Sequence, residues 1–154
     1  MEDIEQCFWD MRSQDARDKI FADAGLLWEN ARAYFKYCTE NPIRPGKDKG
    51  ERFSSRVQSI TLPGLCLYLG CTPDWYHDFK TELAYKEDEL TDRDVALQEV
   101  IDRIEQVIYL HKYNYAAAGL LSARVVIRDL DLNEKKQNDN RKQVWDVRVE
   151  GEDE

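Results

Sequence analysis

The chain has 154 residues, 42% of them hydrophobic, and a formal net charge of -9 at pH 7. This length suits one domain with its own core or two small helical modules, and the apolar content excludes a chain that is disordered throughout. An acidic total is unusual for a nucleic-acid-binding protein, so a function of that kind has to rest on a local basic patch.

Apolar runs, the opening residues and the spacing of the cysteines indicate whether the protein enters a membrane, is secreted or binds a metal. No apolar run approaches the roughly 18 residues of a membrane span, and the opening MEDIEQ lacks the basic and apolar regions of a signal peptide. These features predict a cytoplasmic protein with no membrane association. A zinc site of Cys66, Cys71 and His77 would match no common finger spacing, so we predict free thiols, no metal and no cofactor.

The first strong pattern is a helix from Asp23 to Glu40, preceded by a shorter helix within residues 14–22. Asp23 is a suitable N-cap, and Asn41-Pro42 ends the helix. The apolar residues follow helical spacing and predict one buried face: Leu27, Ala31, Tyr34, Phe35 and Cys38.

Residues 41–59 form a predicted loop whose charge opposes that of the whole chain. Between Arg44 and Arg56, five basic and two acidic side chains give a local charge of +3. Because phosphate affinity comes from lysine and arginine, this segment supplies the main candidate contacts to DNA. They are Lys47, Lys49, Arg52 and Arg56; the alternative is a solvated loop without a ligand.

Two short helices are predicted next, separated by Gly70-Cys71. Thr61 and Thr72 are suitable N-caps, since each is followed by a proline in the first helical turn. A helix, a tight glycine turn and a second helix are typical of a helix-turn-helix, although hairpins without DNA function share the pattern.

The second of these helices provides further candidate DNA contacts, namely Thr72, Trp75 and Lys80. Three acids, Asp74, Asp78 and Glu82, outweigh Lys80 on this helix. This acidic charge argues against a mode of binding in which the second helix lies along the major groove and reads the bases directly.

The central region predicts an antiparallel helical hairpin. Residues 95–112 carry a seam typical of a coiled coil, and a break at Tyr113-Asn114 leads to a second, alanine-rich arm over residues 115–130. We predict that the seam mediates oligomerisation through Leu97, Ile101, Ile104 and Ile108.

After a polar linker at residues 131–143, apolar and charged residues alternate, which is typical of a strand. The apolar positions are Trp145, Val147 and Val149. A single strand cannot satisfy its own backbone, so we expect it to pair with copies from other subunits, in a barrel that abolishes edges; the alternative is a frayed tail. Four acids follow within residues 150–154.

The predicted organisation is therefore mainly α, in three parts. Residues 1–86 form an N-terminal, helix-turn-helix-like DNA-binding domain. Residues 87–132 form the helical hairpin for oligomerisation. Residues 133–154 hold the polar linker, the short C-terminal β-strand of a possible intersubunit barrel, and the acidic tail.

Three blocks of the sequence resemble the small terminase subunits of tailed bacteriophages. They are LLWENARAYFKYCTENPI, ITLPGLCLYLGCTPDWYHDF and YNYAAAGLLSARVVIRDLDLNEK, and the resemblance covers roughly residues 24–136. It implies a homo-oligomeric ring of roughly eight to eleven subunits in the host cytoplasm. Such a ring recognises double-stranded viral DNA and delivers it to the large terminase subunit, which carries the ATPase and nuclease.

The sequence itself contains no phosphate-binding GxxxxGK[ST] loop and no HExxH or GxSxG motif. We therefore predict a protein that is not an enzyme. Two other functions stay open, a dimeric helix-turn-helix transcription regulator and an assembly adaptor that does not bind DNA. Subunit number distinguishes the first from a ring, and salt-dependent DNA binding distinguishes the second.

Overall fold

The computed structural model describes residues 8–43, 58–86 and 89–129. These residues fold into helices joined by turns. The chain divides into two compact units, residues 1–112 and residues 113–154, and the predicted three-part division stays a prediction. The elements are a 3-10 helix (Phe8–Asp10), α1 (Arg17–Ile20), α2 (Ala24–Glu40), α3 (Leu62–Leu69), α4 (Pro73–Ala84) and α5 (Asp92–Ala117), followed by a helical segment at residues 123–129.

Helix α2 confirms the prediction made from its periodicity. The carboxylate of Asp23 accepts a hydrogen bond from the backbone N–H of Leu26 (3.2 Å), and Asn41 caps the C-terminal end. The predicted face lies in the core, where Leu27, Ala31, Tyr34 and Cys38 are fully buried and Phe35 is partly buried.

One buried polar residue on α2 ties the N-terminal segment to this helix. Asn30 donates through Nδ2 to the Leu26 carbonyl (2.9 Å) and to the Asp15 carboxylate (3.2 Å). Its Oδ1 accepts from the hydroxyl of Ser13, whose backbone N–H donates to the carbonyl of Tyr68 on α3. Because buried polar groups are stable when they are hydrogen-bonded, the cluster fixes residues 13–15 between α2 and α3.

Helices α3 and α4 form the predicted pair, which we call the helix–turn–helix segment (residues 61–84). The hydroxyl of Thr61 accepts from the N–H of Gly64 (3.0 Å), and that of Thr72 accepts from the N–H of Trp75 (3.1 Å). Gly70 ends α3 with φ +80, a left-handed conformation that glycine adopts without steric cost. The caps and the turn are confirmed as predicted.

Helix α5 begins with a capping box. The hydroxyl of Thr91 accepts from the N–H of Asp94 (3.2 Å), and the carboxylate of Asp94 accepts from the N–H of Thr91 (3.1 Å). Each side chain thus satisfies a backbone donor that the first helical turn leaves open. Lys86 also donates to Asp94 Oδ2 (2.7 Å), which joins the end of the preceding segment to this helix start.

The first unit has one hydrophobic core, to which α1 to α5 all contribute. Lys80 on α4 pairs with Glu105 on α5 (2.6 Å), and the Arg103 guanidinium of α5 lies 4.4 Å from the ring centre of Trp28 on α2. Helix α5 therefore packs against both α2 and α4. Its buried apolar residues are Leu97, Ile101, Ile104 and Ile108, each at most 7% exposed.

The second unit differs from the prediction in the place of its helix break. Tyr113 and Asn114 lie inside α5, which continues to Ala117, because neither residue prevents helical geometry and alanines follow. The chain turns at Gly119, where φ is +75, and the N–H of Leu120 donates to the carbonyl of Tyr115 (2.8 Å).

The predicted β-strand was wrong, whereas the mainly helical class was right. Across residues 8–43, 58–86 and 89–129 there are helices and turns but no strand. Trp145, Val147 and Val149 lie outside the described residues. An alternating pattern needs a neighbouring strand for its backbone hydrogen bonds, and the described part of this helical chain offers none.

Candidate nucleic-acid interface

The helix–turn–helix segment carries three of the predicted DNA contacts, and the structure places them differently. Thr72 is exposed at the N-terminal end of α4, where its hydroxyl serves as the cap. Trp75 is half-buried. Lys80 is partly exposed and lies on the side of α4 that meets α5, where its ammonium group contacts Glu105 Oε2 at 2.6 Å. Of the three, Thr72 is the most exposed.

Trp75 belongs to an aromatic cluster between α4 and the N-terminal segment. Its ring stacks on that of Phe79 (centroids 5.5 Å apart, interplanar angle 12°) and meets the ring of Phe21 edge to face at 4.7 Å. Such contacts stabilise packing beyond the area they bury. The cluster fixes the start of α4 against residues 17–21.

Arg17 is a residue that the sequence patterns did not single out. Its guanidinium carbon lies 4.7 Å from the centre of the Trp75 ring, in cation–π contact. A Cβ atom built on Gly70 would lie 3.9 Å from Arg17 Cβ, so this cation adjoins the turn between α3 and α4. No spacing in the sequence links residue 17 to residue 75, because their contact depends on the folded arrangement of α1 and α4.

The exposed face of α4 is acidic. Asp74, Asp78 and Glu82 recur every four residues and are all exposed; we call them the acidic stripe. At this spacing they lie along one side of the helix. Their charge repels DNA phosphates, so the structure supports the sequence-based argument against groove reading along α4.

The two cysteines that flank the turn interact with each other. The backbone N–H of Cys71 donates to the carbonyl of Cys66 (2.9 Å), and both residues are free thiols. A separate hydrogen bond joins the two thiol side chains, and this bond, together with burial, raises the pKa of Cys66. The hydrogen bond with Cys66 and the nearby Arg17 lower the pKa of Cys71 against an opposing effect of burial. Cys71, which is the more exposed, is thus the more acidic thiol.

The strongest predicted contacts, Lys47, Lys49, Arg52 and Arg56, lie outside the described residues, and their role stays a prediction. Within residues 8–43, 58–86 and 89–129, no group of three or more His, Cys, Asp or Glu side chains is arranged to hold a metal ion. In the same ranges no helix is long and apolar enough to span a membrane.

The predicted oligomerisation seam on α5 lies in the core of its own chain. Leu97, Ile101, Ile104 and Ile108 pack with α1 to α4, so an intersubunit role for them stays a prediction. The second unit, like the first, also exposes apolar side chains, and the sequence analysis did not predict their exposure because it depends on which neighbours the fold supplies. They are Tyr113 (56% exposed), Leu120 (48%), Val125 (67%) and Ile127 (58%).

Comparisons with known proteins agree on one family. The family model for the DNA-packaging protein gp3 matches residues 16–138. The chain is also similar to the small terminase subunit of Salmonella phage P22, with 32% identity over 136 residues that cover 84% of this chain and 76% of the relative. The match spans every α-helix described above, and on this evidence the chain belongs to the gp3 family of DNA-packaging proteins, the small subunits of phage terminases.

Proposed function

We propose that this protein is the DNA-recognition adaptor of a phage packaging motor. In this role it assembles into a ring, binds double-stranded viral DNA and delivers it to the large terminase subunit within the host cell. The single observation that carries the proposal is family membership, which rests on a match through most of the chain. The adaptor itself is proposed to have no enzymatic activity, and the large subunit is proposed to supply the ATPase and the nuclease.

The charge distribution supports a particular mode of DNA binding. The acidic stripe on α4 disfavours that helix as a reader of bases, and Lys80 is already paired with Glu105. The basic segment at residues 44–56 has a local charge of +3, which suits contacts to the sugar-phosphate backbone. Such contacts position a protein on DNA without reading its sequence, and a ring strengthens weak contacts by repeating them.

The exposed apolar surface of the second unit supports the proposal that the protein assembles into a ring. The described residues of the second unit hold four large apolar side chains that are about half exposed or more, Tyr113, Leu120, Val125 and Ile127. A set of this kind within a short segment is typical of a protein–protein interface. We infer that neighbouring subunits cover it, while the first unit keeps a closed core of its own.

The large terminase subunit is the second proposed partner. Four acidic residues within 150–154 repel DNA and suit a basic protein surface. Deletion of residues 150–154 is expected to leave ring assembly unchanged and to weaken coupling to the motor subunit. Packaging at the wild-type level by the truncated protein would refute this part of the proposal.

DNA binding is tested with the double variant R52E/R56E. Reversing two charges in the basic segment is expected to weaken binding to a labelled DNA duplex and to reduce its salt dependence, with the native mass unchanged. The matched control is R32E/R93E, which makes the same charge change at two exposed positions of the described structure. Equal effects of the two variants would reject the site assignment.

A second candidate function, an assembly adaptor that does not bind DNA, is favoured by the acidic stripe. The same experiment decides between the two. Wild-type protein with no salt-dependent affinity for double-stranded DNA would favour the adaptor. An affinity for double-stranded DNA that falls steeply as the salt concentration rises would exclude the adaptor that does not bind DNA.

A further inference from the structure

Arg17 is held in a fixed position beside the helix–turn–helix segment. One face of its guanidinium lies on the Trp75 ring at 4.7 Å, and its Nε donates to Asp18 Oδ1 at 3.1 Å. Trp75 is itself fixed by stacking on Phe79 and by edge-to-face contact with Phe21. The arginine side chain is thus ordered before any ligand arrives.

The remaining donors of Arg17 are open. Within the described part of the chain the only hydrogen bond of its side chain uses Nε, so the two terminal NH₂ groups have no protein partner there. The side chain is 40% exposed, and that of Asp18 is 85% exposed. An ion pair this exposed is weak and easily displaced, and a planar guanidinium matches the two oxygens of a phosphate group.

The surrounding charges favour a DNA contact at the turn between α3 and α4 over a DNA contact along the length of α4. The acidic stripe begins with Asp74 and continues away from the turn, whereas Arg17 lies next to the turn itself. We propose that Arg17, positioned by Trp75, is a DNA-phosphate contact of the helix–turn–helix segment. This inference rests on the proposed DNA-binding function and adds to it a contact outside residues 44–56.

The test compares R17Q with K19Q in the full-length protein. Both variants remove one positive charge from α1, but only R17Q removes the stacked guanidinium. Affinity for a fluorescein-labelled DNA duplex of arbitrary sequence is measured by anisotropy between about 50 and 200 mM salt, because phosphate binding is independent of sequence. R17Q is expected to lower the affinity several-fold and to reduce the slope of log affinity against log salt by about 0.9 for each phosphate that it no longer neutralises. K19Q is expected to change the affinity less than twofold.

A third variant, R17K, guards against a folding defect in R17Q. It keeps the charge but not the planar fork, so we expect a preserved salt slope with lower affinity. If R17K lowers the salt slope as R17Q does, or if R17Q behaves like K19Q, the Arg17 contact is refuted. If the wild-type protein shows no salt-dependent DNA binding, the proposed function fails instead, so the two failures are distinguishable.

Discussion

Gly64 of α3 lies directly against the hydroxyl group of Tyr34 on α2. A Cβ atom at position 64 would overlap the Tyr34 hydroxyl oxygen and would lie 3.1 Å from the ring carbon that bears it. The same hydroxyl accepts a hydrogen bond from the backbone N–H of Thr61 (3.2 Å). One tyrosine thus sets the distance between α2 and the start of the helix–turn–helix segment.

The variant G64A is therefore expected to destabilise the protein by about 1–3 kcal/mol, because an added methyl group in a packed site displaces its neighbours. Chemical denaturation measures the decrease. Alanine favours helix more than glycine does, so unchanged or increased stability would show that the site has room to relax.

A double-mutant cycle identifies the clashing atom. Y34F alone is expected to cost about 1 kcal/mol because it removes the hydrogen bond to Thr61. In the Y34F background, G64A is expected to cost less than in the wild type, because the overlapping oxygen is absent. Strict additivity of the two substitutions would contradict the proposed clash.

For Tyr76 we expect the opposite effect of removing the hydroxyl group by substitution with phenylalanine. Its hydroxyl is buried and has no hydrogen-bond partner among the residues that the structure describes, and burial raises its pKa, with further contributions from Glu105 and other neighbouring groups. Since an unsatisfied buried hydroxyl is unfavourable, Y76F is expected to leave the free energy of unfolding unchanged or to raise it by up to about 1 kcal/mol. A destabilisation comparable with that of Y34F would reveal a hydrogen bond to Tyr76.

Asp94 is expected to make stability depend on pH. Hydrogen bonds from Lys86 and from Thr91 hold its pKa at about 2, below the ordinary value of 3.8. A lowered carboxyl pKa stabilises the fold above the ordinary value, and this contribution disappears as the pH falls from about 4 towards 2. D94N is therefore expected to lower the melting temperature at neutral pH, with a difference from the wild type that shrinks over this acidic range.

The control for D94N is E99Q, which makes the same charge change at an exposed position of the same helix. E99Q is expected to change the melting temperature little at any pH. If E99Q and D94N follow the same pH profile, the effect belongs to the net charge of the protein and not to the capping box.

The local features of the fold could be predicted from the sequence because each depends on a few adjacent residues. The caps at Asp23, Thr61 and Thr72, the glycine turn at Gly70 and the buried face of α2 are of this kind. The seam on α5 was recognised as apolar, but periodicity does not tell whether such a face packs within one chain or between chains. In the structure it packs within the chain.

Features that depend on contacts distant in sequence could not be predicted. The stacking of Arg17 on Trp75 and the pairing of Lys80 with Glu105 join separate elements, and no local pattern encodes them. Similarly, alternation at residues 145–149 indicated a strand without showing a partner for it. The DNA contacts within residues 44–56 remain a sequence-based prediction.

Substitution of exposed apolar residues in the second unit tests whether this unit mediates assembly. V125E/I127E places two charges on exposed apolar positions and is expected to reduce the native mass, because a charge buried without a partner at an interface is costly. Neither residue belongs to the core of the first unit, so the melting temperature of that unit should change little. The control R124Q/R128Q shifts the net charge equally at exposed positions, and failure of that control to assemble would indicate an electrostatic cause.

The measurement that tests the proposed function most directly is the native mass of the full-length protein. A ring predicts a single species of roughly eight to eleven copies of the 18.1 kDa chain, with V125E/I127E falling to a smaller species. A dimer would favour a transcription regulator. A monomer at all working concentrations would contradict the ring.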